Sequence, residues 1–118
     1  MRQRLYQELL EEVPSLHLVT ARVRTKDRMR AAEDTLVTLI IALEPKAQWS
    51  VGHMRGADGY KVHCLFECED DADRLAGTVA ATAVEPDIGF ESRRSFALDA
   101  AARKAITSTL QKMSWPNR

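Results

Sequence analysis

Four residues with acid–base, thiol or metal-binding side chains gather in the middle of the chain: His53, His63, Cys64 and Cys68. Residues 60–68 alternate as a β-strand does, and a strand directs successive side chains to opposite faces, so His63 points away from both cysteines. Cys64 and Cys68 lie about 13 Å apart along such a strand, too far to share one metal ion or to form a disulfide. We therefore predict no metal site, no cofactor and two free thiols.

His63 is the first candidate for proton transfer or for contact with a ligand, because histidine titrates near neutral pH without assistance. On its face of the strand it is flanked by Lys61, Leu65 and Glu67. His53 is the second candidate for a catalytic role. The alternative is that both histidines lie on a surface or an interface and do no chemistry, so the sequence leaves the catalytic residues undetermined.

Trp49 and Tyr60 flank the same region, and with His63 they are candidates for lining a small-molecule pocket. Ligand pockets have mostly apolar walls with a few polar groups. The alternative for both aromatic residues is ordinary core packing. An apolar small molecule is thus a candidate partner.

The acidic run EDDAD at residues 69–73 offers four carboxylates to a divalent cation. Its spacing does not match the D-x-[DN]-x-[DN]-G pattern of a calcium-binding loop. Acidic residues in the first turn of a helix are stabilised by the helix dipole. We therefore interpret the run as the start of a helix.

The charge balance argues against nucleic-acid binding. The 118 residues include 17 Lys plus Arg and 17 Asp plus Glu, so the formal net charge is zero. Nucleic-acid-binding domains usually carry a basic excess or a basic stripe. The open face of the 60–68 strand also lacks the stacking aromatic residues of an RNA-recognition module, and no glycine-rich nucleotide-binding motif is present.

The sequence predicts a cytoplasmic protein that does not enter a membrane. The N-terminal segment MRQRLYQELLEEV is charged throughout and lacks the apolar core of a signal peptide. The longest apolar run, residues 36–43, is far shorter than the roughly 20 residues that cross a bilayer. Free thiols also suit a reducing compartment.

Hydrophobic periodicity divides the chain into alternating helices and strands, with no repeat or linker. The predicted elements are a helix at 2–12, a strand at 16–24, a helix at 26–44, strands at 48–54 and 60–68, a helix from 69 to before Pro86, a strand at 88–96 and a helix at 98–113. The Asp-Gly pair between the middle strands predicts a hairpin. Residues 36–43 would also suit a strand, so the extent of the second helix stays open.

The order β-α-β-β-α-β over residues 16–97 resembles the ferredoxin-like α+β architecture. The resemblance implies a four-stranded antiparallel sheet with two helices on one face, in a single domain covering residues 1–118. Short N-terminal and C-terminal helices would flank this core. A shape of this kind hosts many activities and assigns none.

Three segments, LVTARVRTKDR, LEPKAQWSVGHMR and DGYKVHCLFECEDDADRLA, are similar to small dimeric α+β barrel proteins, a group that includes monooxygenases of the antibiotic-biosynthesis type. In that group two sheets pack together, and a pocket lies between sheet and helices. The resemblance implies a homodimer and a pocket. It transfers no active-site residue to this chain.

The sheet face opposite the two helices mixes apolar residues with charges of both signs. Its predicted members are Leu18, Thr20, Arg22, Ser50, Gly52, Met54, His63, Leu65, Glu67, Glu91 and Arg93. A two-fold interface is self-complementary, so such a face predicts a homodimer seam. The predicted contacts are Leu18, Thr20, Arg22, Leu65 and Glu67. The alternative is that the terminal helices cover this face within one chain.

We therefore predict a homodimeric interaction module or a small-ligand-binding module. The alternative is a small cofactor-independent enzyme of the dimeric barrel type, acting on an apolar substrate near Trp49, His53, Tyr60 and His63. That enzyme requires a cavity of about 300 Å³ or more. It loses its site if Trp49, Phe66 and Leu36 fill the space between sheet and helices.

Overall fold

A computed structural model describes residues 10–11, 13–56, 59–81 and 88–110. Four strands are formed: β1 (Ser15–Val23), β2 (Trp49–Gly56), β3 (Gly59–Phe66) and β4 (Ile88–Ala97). Three helices accompany them: α1 (Lys26–Ala42), α2 (Glu69–Ala81) and α3 (Ala100–Leu110). Most of the predicted helix at 2–12, and residues 111–113 of the predicted last helix, lie outside the described residues. No helix in the described ranges is long and apolar enough to span a bilayer.

The strands form one antiparallel sheet in the order β2-β3-β1-β4. Strand β1 is therefore central, and β2 and β4 are the edges. The predicted α+β class and the four-stranded antiparallel sheet are confirmed.

Helix α1 ends where the backbone leaves helical geometry. Glu44 has a φ of 52°, in the left-handed region, and Pro45 follows it. A proline disfavours helical geometry at the preceding residue. The strand alternative for residues 36–43 is wrong, because helical spacing buries Leu36, Val37 and Ile40 on one stripe.

The main core fills the space between one sheet face and helices α1 and α2. Trp49, Phe66 and Leu36 are at most 1% exposed within it. The strand residues that share this core are Val19, Ala21, Val23, Trp49, Val51, Val62, Cys64, Phe66 and Ile88. Strict alternation along each strand places them all on the helix side, as the sequence pattern predicted.

A second, smaller core lies on the opposite face of the sheet. It contains Leu10, Val13, Leu16, Leu65 and Leu98, with Leu18, Met54, Phe96 and Ile106 packed against it. The chain preceding β1 and helix α3 therefore cover part of the face predicted to be open.

A β-bulge changes the predicted face of residues in β4. Thr20 pairs with Ser92 but the next residue of β1 pairs with Phe90, so Glu91 is an extra residue in β4. Arg93, predicted on the open face, instead lies on the helix side, where its Nε donates to Asp73 Oδ1 at 2.9 Å. That prediction is wrong because one extra residue reverses the alternation.

The acidic run at the start of α2 is used within the chain. Asp71 is 3% exposed, and its carboxylate accepts hydrogen bonds from the backbone N–H groups of Lys46 (2.9 and 3.1 Å) and Ala47 (3.2 Å). Asp70 binds the Lys46 ammonium at 2.7 Å. These contacts tie the loop before β2 to α2.

The burial of α1 can be tested with two neighbouring isoleucines. Ile40 is 1% exposed and Ile41 is 59% exposed. We expect Ile40→Ala to lower the free energy of unfolding by about 2 to 5 kcal/mol, because it opens a cavity in the main core. Ile41→Ala is the matched control and should change it by no more than about 0.5 kcal/mol. Urea unfolding followed by circular dichroism measures both; equal losses would contradict this packing of α1.

Candidate functional site

A cavity of about 380 Å³ lies between the second sheet face and helix α3. Its apolar lining comes from Leu16, Leu18, Met54, Phe96, Ala105 and Ile106. Its polar lining comes from Thr20, Lys61, His63, Glu91, Ser92, Arg94 and Thr109. A concave, mostly apolar site with a few convergent polar groups is the usual form of a ligand pocket.

Helix α3 forms the roof and is anchored at its first turns. The Leu98 N–H donates to the carbonyl of Pro14 at 2.9 Å, and Arg103 Nη2 donates to the carbonyl of Val13 at 2.8 Å. Asp99 caps the helix, since its Oδ1 accepts from the Ala102 N–H at 2.8 Å. These bonds fix the beginning of α3 against the segment that enters β1.

The floor of the cavity changes from apolar to charged along β1. Strand pairing places Leu16 beside Phe96 at one end and Thr20 beside His63 further along. Arg22 is the next residue of β1 on this face. Successive rows on one face are about 7 Å apart, because each row is two residues further along the strand. One end of the cavity therefore suits an apolar group and the other a polar group.

His63 lies at the polar end of the cavity, and one of its two ring nitrogens has a hydrogen-bond partner. Its Nδ1 is 2.9 Å from Thr20 Oγ1, whereas its Nε2 is buried and has no hydrogen-bond partner among the described residues. Burial lowers the pKa of His63 to about 4; the positive charge of Lys61 acts in the same direction, and the negative charge of Glu91 opposes both. His63 is therefore neutral at pH 7.

Glu91 is held by two cations at the same end of the cavity. Its Oε1 lies 3.0 Å from Arg22 Nη2, and its Oε2 lies 3.1 Å from Lys61 Nζ. Burial alone would raise the pKa of Glu91, but the hydrogen bonds from Lys61 and Arg22 outweigh it, and the pKa is lowered. Glu91 is thus ionised at neutral pH.

Arg94 brings another positive charge to the wall of the cavity. It lies opposite Leu18 in the strand pairing and is exposed. Within the described residues its guanidinium group forms no salt bridge. The sequence interpretation overlooked Arg94, because alternation without the bulge places Arg93 on this face instead.

The four residues predicted to share an enzyme pocket do not come together. Trp49 is 1% exposed in the main core, and Tyr60 packs against that core beneath Arg55. His53 faces α1, and only His63 lines the cavity. Because Trp49, Phe66 and Leu36 fill the space between the sheet and helices α1 and α2, the enzyme interpretation loses its predicted location.

His53 meets a buried acid that the sequence interpretation did not identify. Its Nδ1 contacts Oε1 of Glu33, a residue of α1 that is 2% exposed. The available signal was position, since Glu33 is four residues after Met29 and three before Leu36, on the stripe that faces the core. This pair lies on the opposite side of the sheet from the cavity.

The predicted interface residues are divided between the cavity and the second core. Leu18 and Thr20 line the cavity, and Thr20 is 2% exposed. Leu65 is fully buried by residues of its own chain, so it presents no surface to a partner. Arg22 is bound to Glu91, and Glu67 accepts a hydrogen bond from the Gln48 N–H at 3.3 Å.

The two cysteines are free. Cys64 is buried, and burial raises the pKa of its thiol to about 12, so the nucleophilic thiolate is suppressed at neutral pH. Cys68 is partly exposed. Across the described ranges, no group of three or more His, Cys, Asp or Glu residues is arranged to hold a metal ion.

The chain matches none of the protein-family models, curated proteins or solved structures with which it was compared. No residue of the cavity therefore inherits a role from a relative. The chemistry of the cavity has to be inferred from its own shape, charges and hydrogen bonds.

The state of His63 can be tested by NMR titration. We expect its imidazole shifts to report a pKa of about 4, below the ordinary value of 6.5. The folded state holds this proton less tightly than the unfolded state. The contribution of neutral His63 to the free energy of unfolding is therefore fully present above pH 6.5 and is lost as pH falls from there towards 4. The loss attributable to His63 is up to about 3 kcal/mol.

The control for this titration is His63→Gln, which has no titrating group at this position. The stability advantage of the natural chain over His63→Gln should shrink across the same acid range. A His63 pKa near 6.5, with a constant difference between the two proteins, would contradict the buried, neutral state.

Proposed function

We propose that this chain binds a small, largely apolar molecule in the cavity between its sheet and helix α3. The observation that carries the proposal is the cavity itself, about 380 Å³ in volume, with an apolar end at Leu16 and Phe96 and a polar end at Thr20 and His63. Natural ligand pockets begin at about 300 Å³ and likewise combine apolar walls with a few polar groups. The ligand class is therefore a compact molecule with an apolar body and a polar end.

The floor and the roof of the cavity support this proposal in different ways. Its floor is a hydrogen-bonded sheet whose other face rests on the main core, which makes it a rigid platform. Its roof, α3, is fixed at its start by Arg103 and Leu98, while Thr109 borders the cavity near the other end. A ligand would contact both layers and add to the apolar burial that joins them.

A homodimer is the second candidate state. The open-face seam is less favoured than it was on sequence alone, because Leu65 is covered by its own chain. Of the described residues, two large apolar ones remain exposed: Phe90 at 41% on the edge strand β4 and Ile41 at 59% on α1. An edge strand presents unpaired backbone groups that can pair with a second copy, so we favour contact through β4.

The ferredoxin-like assignment also remains a proposal. Its support is the element order β1-α1-β2-β3-α2-β4, with α1 and α2 packed on one face. Helix α3 is additional to that pattern. The free cysteines similarly agree with the predicted cytoplasmic location.

Binding can be measured with N-phenyl-1-naphthylamine, a neutral apolar dye whose fluorescence rises in an apolar site. We expect saturable binding to the natural chain. Thr109→Trp should weaken binding about tenfold or more, because an indole at a lining position occupies the cavity. Ser108→Trp is the matched control, since Ser108 is the adjacent exposed residue of α3 and does not line the cavity. Absence of saturable binding, or equal loss in both variants, would contradict the proposal.

The oligomeric state is tested by light scattering coupled to size-exclusion chromatography. Contact through β4 predicts a molar mass near twice 13.3 kDa. Phe90→Arg should return it to 13.3 kDa, whereas Ile41→Arg, the control at the other exposed apolar residue, should not. A single copy in the natural chain at micromolar concentration would contradict the dimer and leave the ligand proposal intact.

A further inference from the structure

We propose that the polar end of the cavity recognises a carboxylate, so that the ligand is a small amphipathic carboxylate with its apolar part over Leu16 and Phe96. This inference rests on the proposed function and adds the chemical class of the ligand's polar group. Three independent features of the cavity wall lead to it: its charges, the proton position on His63 and the direction in which the floor changes polarity.

The charges of the wall favour an anion. Among the lining residues that the structure describes, Glu91 is the one carboxylate, and it is already paired with Arg22 Nη2 at 3.0 Å and with Lys61 Nζ at 3.1 Å. Arg94 adds a third cation and has no salt-bridge partner within the described part of the chain. Cationic side chains therefore outnumber acids around the polar end. An anionic group is the complement that this excess lacks.

The hydrogen bond between Thr20 and His63 determines what the imidazole can offer. Thr20 is 2% exposed, and in the described residues its hydroxyl has His63 Nδ1, at 2.9 Å, as its hydrogen-bond partner. If the hydroxyl donates to Nδ1, the neutral ring carries its proton on Nε2. The opposite tautomer would leave the buried hydroxyl hydrogen of Thr20 without an acceptor.

His63 Nε2 is therefore assigned as a donor, and it is buried without a partner in the part of the chain that the structure describes. A buried donor without an acceptor destabilises the chain, and an acceptor supplied by a ligand would remove that cost. A carboxylate is an acceptor with two oxygens, so it can accept from Nε2 and from a guanidinium group such as Arg94 at the same time.

The polarity of the floor sets the orientation of the ligand. Leu16 and Phe96 are paired at the apolar end, and His63 lies two rows away across Thr20. At about 7 Å per row, the two ends are about 14 Å apart. That span fits a short aliphatic chain or a fused aromatic ring system that ends in a carboxylate.

Other polar groups fit the same wall less well. An ammonium group would approach Lys61 and Arg94, and Glu91, the one carboxylate in the described lining, is already paired. A neutral hydroxyl could accept from His63 but would leave the charge of Arg94 uncompensated. The wall therefore discriminates by charge as well as by hydrogen bonding.

The test compares three ligands that share one apolar tail: octanoate, octan-1-ol and octylammonium. Each is titrated into the full chain at about pH 7.5, where the carboxylate is ionised, and its Kd is measured from backbone amide shifts in two-dimensional NMR spectra. We expect octanoate to bind about tenfold more tightly than either of the others. The shifted amides should belong to β1, β3, β4 and α3.

Arg94→Gln should weaken octanoate binding about tenfold and leave octan-1-ol binding unchanged, because it removes charge without shortening the side chain much. Arg30→Gln is the matched control, since Arg30 is exposed on α1, on the other side of the sheet. Histidine nitrogen spectra of the free chain should show His63 as the Nε2–H tautomer, because the Thr20 hydroxyl donates to Nδ1.

The outcomes separate this inference from the function on which it rests. Equal affinities for the three ligands, tighter binding of octylammonium, or an Nδ1–H tautomer would overturn the carboxylate assignment while saturable dye binding upheld the cavity as a ligand site. Failure of all three ligands together with failure of the dye would overturn both. Octanoate binding that Arg30→Gln weakens as much as Arg94→Gln would also count against the assignment, because it would indicate attraction by general charge.

Discussion

Strand β1 is hydrogen-bonded on both edges and buried on both faces, and the remaining architecture follows from this constraint. Its pairing with β3 and β4 satisfies its backbone groups. Val19, Ala21 and Val23 then require cover on one face, while Leu16 and Thr20 require it on the other. A four-stranded sheet with helices on one face only would leave the second set in water. Helix α3 and the segment before β1 meet that requirement within the chain, and this is why the face predicted as a dimer seam is partly closed.

The helices cover the two sheet faces to different extents, and the cavity results from this difference. Helices α1 and α2, of 17 and 13 residues, lie over one face, and large side chains such as Trp49 and Phe66 fill the space beneath them. The described part of α3, 11 residues, covers the other face, and Ile106 is its one side chain packed against the second core. A single helix cannot contact a twisted sheet along its whole width. The space left beneath α3 reaches the row of Thr20 and His63, whose polar side chains line the cavity.

Alternation along strands was sufficient to predict the two faces, and it failed only where the backbone departs from alternation. Val51 and Cys64 were assigned to the helix side and His63 to the opposite side from period two alone. The bulge at Glu91 has no marker in the sequence, because it depends on how β1 and β4 pair across the sheet. It exchanged the faces of Arg93 and Arg94 and so changed which arginine reaches the site. The sequence left open whether the last helix covers this face, since an amphipathic helix does not reveal the sheet face on which it docks.

Burial disfavours the charged form of both ionisable groups that define the polar end, but only one of them loses its charge. For Glu91, two cations within hydrogen-bond distance compensate the loss of water, and the carboxylate keeps its charge. For His63 the hydrogen-bond partner is the neutral hydroxyl of Thr20, and the negative charge of Glu91 does not outweigh burial and the charge of Lys61, so the ring loses its proton. The polar end thus offers the neutral His63 as a hydrogen-bond donor, close to cationic side chains. The carboxylate at this end, Glu91, is already paired with two of these cations. A carboxylate must shed water to enter, which is unfavourable unless charge and hydrogen bonds replace that water. In the proposed complex the exposed Arg94 of β4 would supply the charge, and Nε2 of His63 on β3, which has no partner among the described residues, would supply the hydrogen bond.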